Sequence, residues 1–199
     1  PLQISPQLWE AFPLLYVAFD NWAFDYLLLM TPPLNNFITK DPRHFLDTSV
    51  NTPEGSVKYI DMIFTIVSKA VNEDRSSDSE QRKALSLYMS VLHNCTGQVD
   101  NYVPVINDVS LAKLGQQVNA ENPSTRHVIF QVVGSALYYN PELELRELEK
   151  RGVTHQVLTQ WIKEIDSMEG WLSQKMTVLG LLSILRLPAS SLPQHVGSM

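Results

Sequence analysis

The chain has 199 residues, 44% of them hydrophobic, with 8 Gly and 12 Pro, which excludes collagen, low-complexity polymers and wholly disordered tails. Its 15 Lys+Arg stand against 21 Asp+Glu, a net charge of -6, and this excludes a general nucleic-acid binder, which needs a basic stripe. No apolar run approaches the roughly 18 residues of a membrane span; the longest, Met176 to Leu187, is interrupted by Thr177, Ser183 and Arg186.

The first residue is Pro1, and Leu2-Gln3-Ile4 resembles no targeting segment, so the chain reads as an excerpt of a longer protein. Ser5-Pro6 is a helix start, a capping hydroxyl followed by a proline whose missing donor is harmless in the first turn. Leu8, Phe12, Leu15 and Phe19 follow as an amphipathic stripe. A second helix is expected over 22–38, carrying Phe24, Leu27, Leu28 and Phe37 and bent at Pro32-Pro33. The cap-then-proline signal returns at Asp41-Pro42, Thr52-Pro53, Asn122-Pro123 and Asn140-Pro141.

Further helices are expected at 55–72, 79–94, 99–117, 123–139, 141–150, 154–168 and 170–186. Val99, Val103, Ile106 and Leu114 share one face, as do Ile129, Val132, Val133, Ala136 and Leu137; Leu137 and Leu179 are expected to be buried. No segment carries a sustained period-two alternation, so no sheet is expected and the fold class is all-α. Helix pairs at 5–38, 55–94, 99–139 and 141–186 recur with the period of HEAT and armadillo repeats, predicting one α-solenoid segment of antiparallel helix pairs over 1–199. Pro104 and Arg126 stand where HEAT pairs tend to carry a proline and a basic residue.

Little in the chain suggests chemistry. His44, His93, His127, His155 and His195 are scattered without metal-ligand spacing, and no nucleophile elbow or phosphate-cradling loop is present, so no enzyme activity, metal or cofactor is expected. Cys95 has no disulfide partner, which favours a reducing compartment over glycosylation at Asn94-Cys95-Thr96. Glu142, Glu144, Glu147 and Glu149 read as surface acids paired with Arg146 and Arg151. Trp9, Trp22, Trp161 and Trp171 read as core, and one of Tyr138 and Tyr139 is expected to seal a helix seam. The connector 72–80 is wholly polar, and its acids Glu73, Asp74, Asp78 and Glu80 are the candidate contact for a basic partner. Ser77, three residues before Glu80, also matches an acid-directed kinase pattern.

Several segments carry a resemblance. They are Ser5-Pro6-Gln7-Leu8-Trp9, Phe24-Asp25-Tyr26-Leu27, Met30-Thr31-Pro32-Pro33-Leu34-Asn35-Asn36-Phe37 and Tyr59-Ile60-Asp61-Met62-Ile63. Later come Ala136-Leu137-Tyr138-Tyr139-Asn140-Pro141, Thr159-Gln160-Trp161 and Lys175-Met176-Thr177-Val178-Leu179-Gly180-Leu181. In this order they resemble the C-terminal HEAT region of the importin-β superfamily, in the branch of importin seven, importin eight and their fungal relatives. The resemblance runs from about residue 5 to 186; residues 40–57 and 72–82 and the tail after Leu187 lie outside it.

The resemblance implies a nuclear transport receptor. Such a receptor takes basic cargo of the ribosomal-protein or histone type, shuttles between cytoplasm and nucleus through Phe-Gly nucleoporins, and releases cargo to Ran-GTP. It implies no Ran contact for any residue of this segment, and neither direct nucleic-acid binding nor membrane insertion. Two other classes fit the pattern without the resemblance: an unrelated helical-repeat scaffold, and a helical GTPase regulator with Arg43 or Arg75 as its arginine finger.

Overall fold

The computed structural model describes residues 4–52 and 55–193. The proposed cap at Thr52-Pro53, the segment Leu2-Gln3 and His195 therefore fall wholly or partly outside the described residues. The chain divides into two compact units, Pro1–Cys95 and Thr96–Met199.

In the first unit, α1 (Pro6–Trp9) is capped by Ser5, whose hydroxyl accepts from the Leu8 amide at 3.2 Å. α2 (Ala11–Asn21) follows after a break at Glu10. The break has a local cause: Pro13 has no N–H to donate to the Trp9 carbonyl, and its ring crowds that oxygen. A 3₁₀ turn at Phe24–Tyr26 leads into α3 (Leu27–Lys40), which contains Pro32 and Pro33. α4 (Pro42–Asp47), for which the sequence signalled a start but no extent, begins on Asp41, whose carboxylate accepts from the His44 amide at 3.0 Å. α5 (Tyr59–Asn72) and α6 (Asp78–Asn94) complete the unit.

Between α4 and α5 stands a two-stranded antiparallel ribbon, β1 (Ser49–Thr52) and β2 (Gly55–Lys58), with Val50 opposite Val57. This corrects the expectation of no sheet and of a helix beginning at 55. Four residues per strand are too few to register as an alternation, and the ribbon gains its order from the closing pair of the ladder and from Tyr59 N–H donating to the Thr48 carbonyl at 3.1 Å. Apart from it, the described residues are helices and their connections, and the fold class is all-α, of the helical-repeat type.

α5 is the inner helix of this unit, with α2, α4 and α6 packed on it. Tyr59, Ile60, Met62, Ile63, Phe64, Ile66, Val67, Ala70 and Val71 are all buried. At one end Tyr59 lies 4.4 Å from the Phe12 ring and 5.8 Å from Trp9, and Phe37 meets Trp9 at 4.9 Å.

The second unit begins with a 3₁₀ turn at Asp100–Tyr102, then α7 (Val103–Gln116), α8 (Ser124–Tyr139) and α9 (Pro141–Lys150). α10 (Thr154–Glu164), a 3₁₀ turn at Ile165–Ser167 and α11 (Trp171–Leu185) follow, with a last 3₁₀ turn at Ala189–Ser191. α8 is its central helix and packs most closely on α11. The expected face of α8 is correct: Ile129, Val132, Val133, Ala136 and Leu137 are buried. Leu179 is not, being only half-buried, because α11 turns Met176, Thr177, Gly180, Ser183 and Ile184 inward instead. Small residues are what the close approach of two helices requires. A Cβ on Gly134 would lie 2.8 Å from the Met176 carbonyl oxygen, and one on Gly180 would lie 2.9 Å from the Gly134 Cα.

Tyr139 is the sealing tyrosine. Its hydroxyl accepts from the Val99 amide at 3.0 Å and donates to Asp100 at 2.6 Å, tying the end of α8 to the entry of α7, while Tyr138 is half-exposed. Asn140 then caps α9, accepting from the Leu143 amide at 3.1 Å. Arg126 holds the other end of the α7–α8 pair, donating to the Gln117 and Ala120 carbonyls at 2.9 and 3.0 Å. Those oxygens lie at and beyond the end of α7, where helical carbonyls lack intrahelical donors.

Candidate functional site

The four candidate acids do not form one free loop. α5 runs to Asn72 and α6 begins at Asp78, so only residues 73–77 connect them. Glu73 is held by Arg75, whose Nε lies 3.1 Å from its carboxylate, and the Arg75 guanidinium sits 4.0 Å over the Phe24 ring. Glu80 and Ser77 form a capping box. The Ser77 amide and hydroxyl donate to Glu80 Oε2 at 2.8 and 2.7 Å, and Ser77 Oγ accepts from the Glu80 amide at 3.3 Å.

The spacing that resembles a kinase pattern is thus the start signal of α6. Asp78 and Glu80 lie in the first turn, where negative charge is favoured by the helix dipole. Asp74 and Asp78 are exposed, whereas Glu73 and Glu80 are partly covered. The connector is also anchored below: Ser76 is buried, and its carbonyl accepts from Gln81 Nε2 at 3.1 Å. Ser77→Ala should therefore cost about 1 kcal/mol, measurable as a lower urea midpoint at unchanged slope.

Both arginine-finger candidates make surface pairs. Arg75 is engaged as described, and Arg43 pairs along α4 with Asp47 at 3.6 Å. Among the described residues no group of three or more His, Cys, Asp and Glu is placed to hold a metal ion. Cys95 is buried at the end of α6, and burial pushes its thiol up to about 11, so thiolate chemistry is disfavoured. Asn94 of the sequon is half-buried and donates to the Ser90 carbonyl at 2.7 Å.

One grouping of Ser, His and Glu does arise, at the end of α10. His127 Nε2 lies 3.3 Å from Ser167 Oγ and 3.3 Å from Glu164 Oε2, and Arg126 Nε lies 3.0 Å from Glu164 Oε1. Both partners meet the same ring nitrogen, so the carboxylate cannot orient the imidazole while it activates the hydroxyl. Burial lowers the His127 pKa against the raising effect of Glu164, leaving a neutral ring. This is a structural clasp between α8 and α10.

The glutamates of α9 divide differently from the surface reading. Glu144 and Glu147 are buried, because α9 turns them with Leu143, Leu145 and Leu148 toward the unit's interior. Arg151 pairs with Glu147 at 2.6 Å as expected, but also with Asp108 of α7 at 2.6 Å and with the Pro104 carbonyl at 3.0 Å.

Two of the four tryptophans are also displaced from the expected core. Trp22 is 74% and Trp171 72% exposed. Trp171, Val178, Leu182 and Leu185 are exposed along α11, with the Lys175 ammonium 4.9 Å over the Trp171 ring. In the first unit Leu14, Val17, Trp22, Tyr26 and Leu29 are similarly exposed. Apolar exposure of this kind marks contact surfaces more often than single scattered side chains do. No described helix is long and apolar enough to cross a membrane.

The chain is similar to importin-8 of Danio rerio, 31% identical over 194 residues, covering 94% of this chain and 18% of that protein. It is 31% identical over 192 residues to importin-8 of Homo sapiens, covering 92% and 18%. To an importin beta-like SAD2 homolog of Arabidopsis thaliana it is 30% identical over 202 residues, covering 97% and 19%. The chain thus spans about a fifth of the length of the curated relatives it matches. No family profile matches the chain, and no solved structure does.

Proposed function

The chain belongs to the importin-β superfamily, and we propose that it serves as a helical-repeat segment of a nuclear import receptor, helping to hold protein cargo under Ran-GTP control. The observation that carries this reading is likeness to importins over 92–97% of the chain, in an all-α fold of packed helices. The proposal includes one solenoid segment over 1–199, shuttling between cytoplasm and nucleus, and contact with Phe-Gly nucleoporins by the whole receptor. The segment's part is binding, not catalysis.

The excess of acid favours basic cargo, of the ribosomal-protein or histone type. Asp74 in the connector and Asp78 in the first turn of α6, both exposed, are the strongest contacts; Glu73 and Glu80 add to the field. Exposed pairs contribute about 0–1 kcal/mol each, so several must act together.

The test is retention of a basic histone fragment by the full-length receptor, with and without Ran-GTP, at low and physiological salt. A second receptor carries Glu73→Gln, Asp74→Asn, Asp78→Asn and Glu80→Gln, which remove charge and keep a capping glutamine beside Ser77. Retention that is lost with Ran-GTP supports the receptor reading; retention indifferent to it removes that reading. A several-fold weaker complex in the variant, converging with wild type as the screening length falls to about 8 Å, places cargo on the connector. Equal affinity at low salt leaves it a structural joint.

A further inference from the structure

Glu144 is fully buried in α9, yet it has one partner. Its Oε2 accepts from Asn107 Nδ2 of α7 at 2.8 Å, and its Oε1 is buried without a hydrogen-bond partner among the described residues. Asn107 is itself 1% exposed, so the bond lies wholly inside the seam between α7 and α9. A carboxylate in such a place would keep one charged oxygen out of contact with water and with any donor, which costs far more than a neutral acid does.

The surrounding charges relieve it only in part. The charges that act on it are Arg151, which favours ionisation, and Glu147, which opposes it. Arg151 is already committed: Nε and Nη2 go to Asp108, Nη1 to Glu147 and its carbonyl, and Nη2 to the Pro104 carbonyl. α8, α10 and α11 also pack on α9. On α8, Arg126 and His127 face Glu164 of α10, and Tyr139 faces Asp100. His155 and Lys163 of α10 are exposed, and Lys175 of α11 lies over Trp171. Asp108 of α7 is held by Arg151, and Lys113 is on the same helix about 1.7 turns from Asn107.

We propose that Glu144 is a proton-operated latch between α7 and α9: as a neutral acid it closes the seam on Asn107, and on losing its proton it loosens the seam. Desolvation, only partly offset by the Asn107 bond and Arg151, raises its pKa to about 8. In the unfolded chain a glutamate titrates near 4.3, so the folded state keeps the proton to higher pH. The linked stability is complete at low pH, declines as pH rises between those two values, and is lost above about 8.

The experiment follows the unfolding of the 199-residue chain between pH 5.5 and 8, for wild type and Glu144→Gln, together with hydrogen exchange of the α7 and α9 amides. The Glu144-dependent part of the folding equilibrium should fall on the order of 100-fold across that range. Glutamine cannot ionise, so its profile should lack that fall, and its α7 and α9 amides should not gain exchange with pH as the wild-type ones do. Parallel profiles would overturn the latch. The Glu144 carboxyl carbon, followed by NMR in the wild-type protein, provides a reading independent of any variant's folding: a midpoint near 8 supports the latch, and one near 4.5 overturns it.

Discussion

Trp161→Ala will lower the stability of the second unit by about 3–5 kcal/mol, read from urea or thermal unfolding. The indole is 0% exposed and stacks on Phe130, with centroids 6.3 Å apart and planes 9° from parallel. Its ring edge also fills the space above the two glycines at the α8–α11 crossing, 3.1 Å from where a Gly134 Cβ would be and 3.0 Å from one on Gly180. Removing it leaves a void that the closely packed helices cannot collapse into. The indole Nε1 is buried without an acceptor among the described residues, so Trp161→Phe, which keeps most of the ring and removes an unmet donor, should cost clearly less than alanine. The same crossing makes Gly134→Ala informative. Helix propensity alone would stabilise by about 1 kcal/mol. The new methyl would meet backbone, the Met176 carbonyl oxygen at 2.8 Å, and overpacking of that kind costs about 1–3 kcal/mol. Net destabilisation is the expected result; a more stable Gly134→Ala protein would mean that α8 and α11 do not cross so closely.

Phe12→Ala should cost about 3–5 kcal/mol in the first unit. Phe12 is 0% exposed and meets Tyr59 at 4.4 Å, Phe37 edge-on at 5.2 Å, Phe45 at 6.0 Å and Trp9 at 6.4 Å. It therefore joins the first, third and fourth helices to the start of α5, and aromatic pairs add about 0.5–1.5 kcal/mol beyond area burial. Phe12→Leu keeps apolar volume and loses the ring contacts, so it should fall between wild type and alanine. Loss of the Trp9 environment, followed by fluorescence on unfolding, assigns the effect to this cluster. An unchanged midpoint in Phe12→Ala would show that the cluster is dispensable.

Local chemistry was read directly from sequence: Ser5, Asp41 and Asn140 cap the helices their prolines begin, as their positions predict. The all-α class and the apolar stripe of α8 followed from a period of 3.6 residues, which is set by the backbone and needs no knowledge of neighbours. The family was legible too: the resemblance read from short ordered motifs agrees with importins 30–31% identical over 92–97% of the chain. Ser77 and Glu80 carried a readable capping signal at a spacing of three, although it also fits other uses.

Tertiary structure decided the rest, because burial depends on which other helix covers a face. Glu144 and Glu149 look alike on the sequence of α9; only the packing of α7 makes one a buried acid and leaves the other exposed. Trp161 and Trp171 likewise differ by whether Gly134 and Gly180 open room for a ring or the helix face stands bare. The β1–β2 ribbon belongs here as well, since four-residue strands are too short to declare themselves and are held by pairing with each other. Period and capping chemistry act within one helix turn and so are written locally, whereas burial, desolvation and the protonation of Glu144 are properties of contacts between helices far apart in the chain.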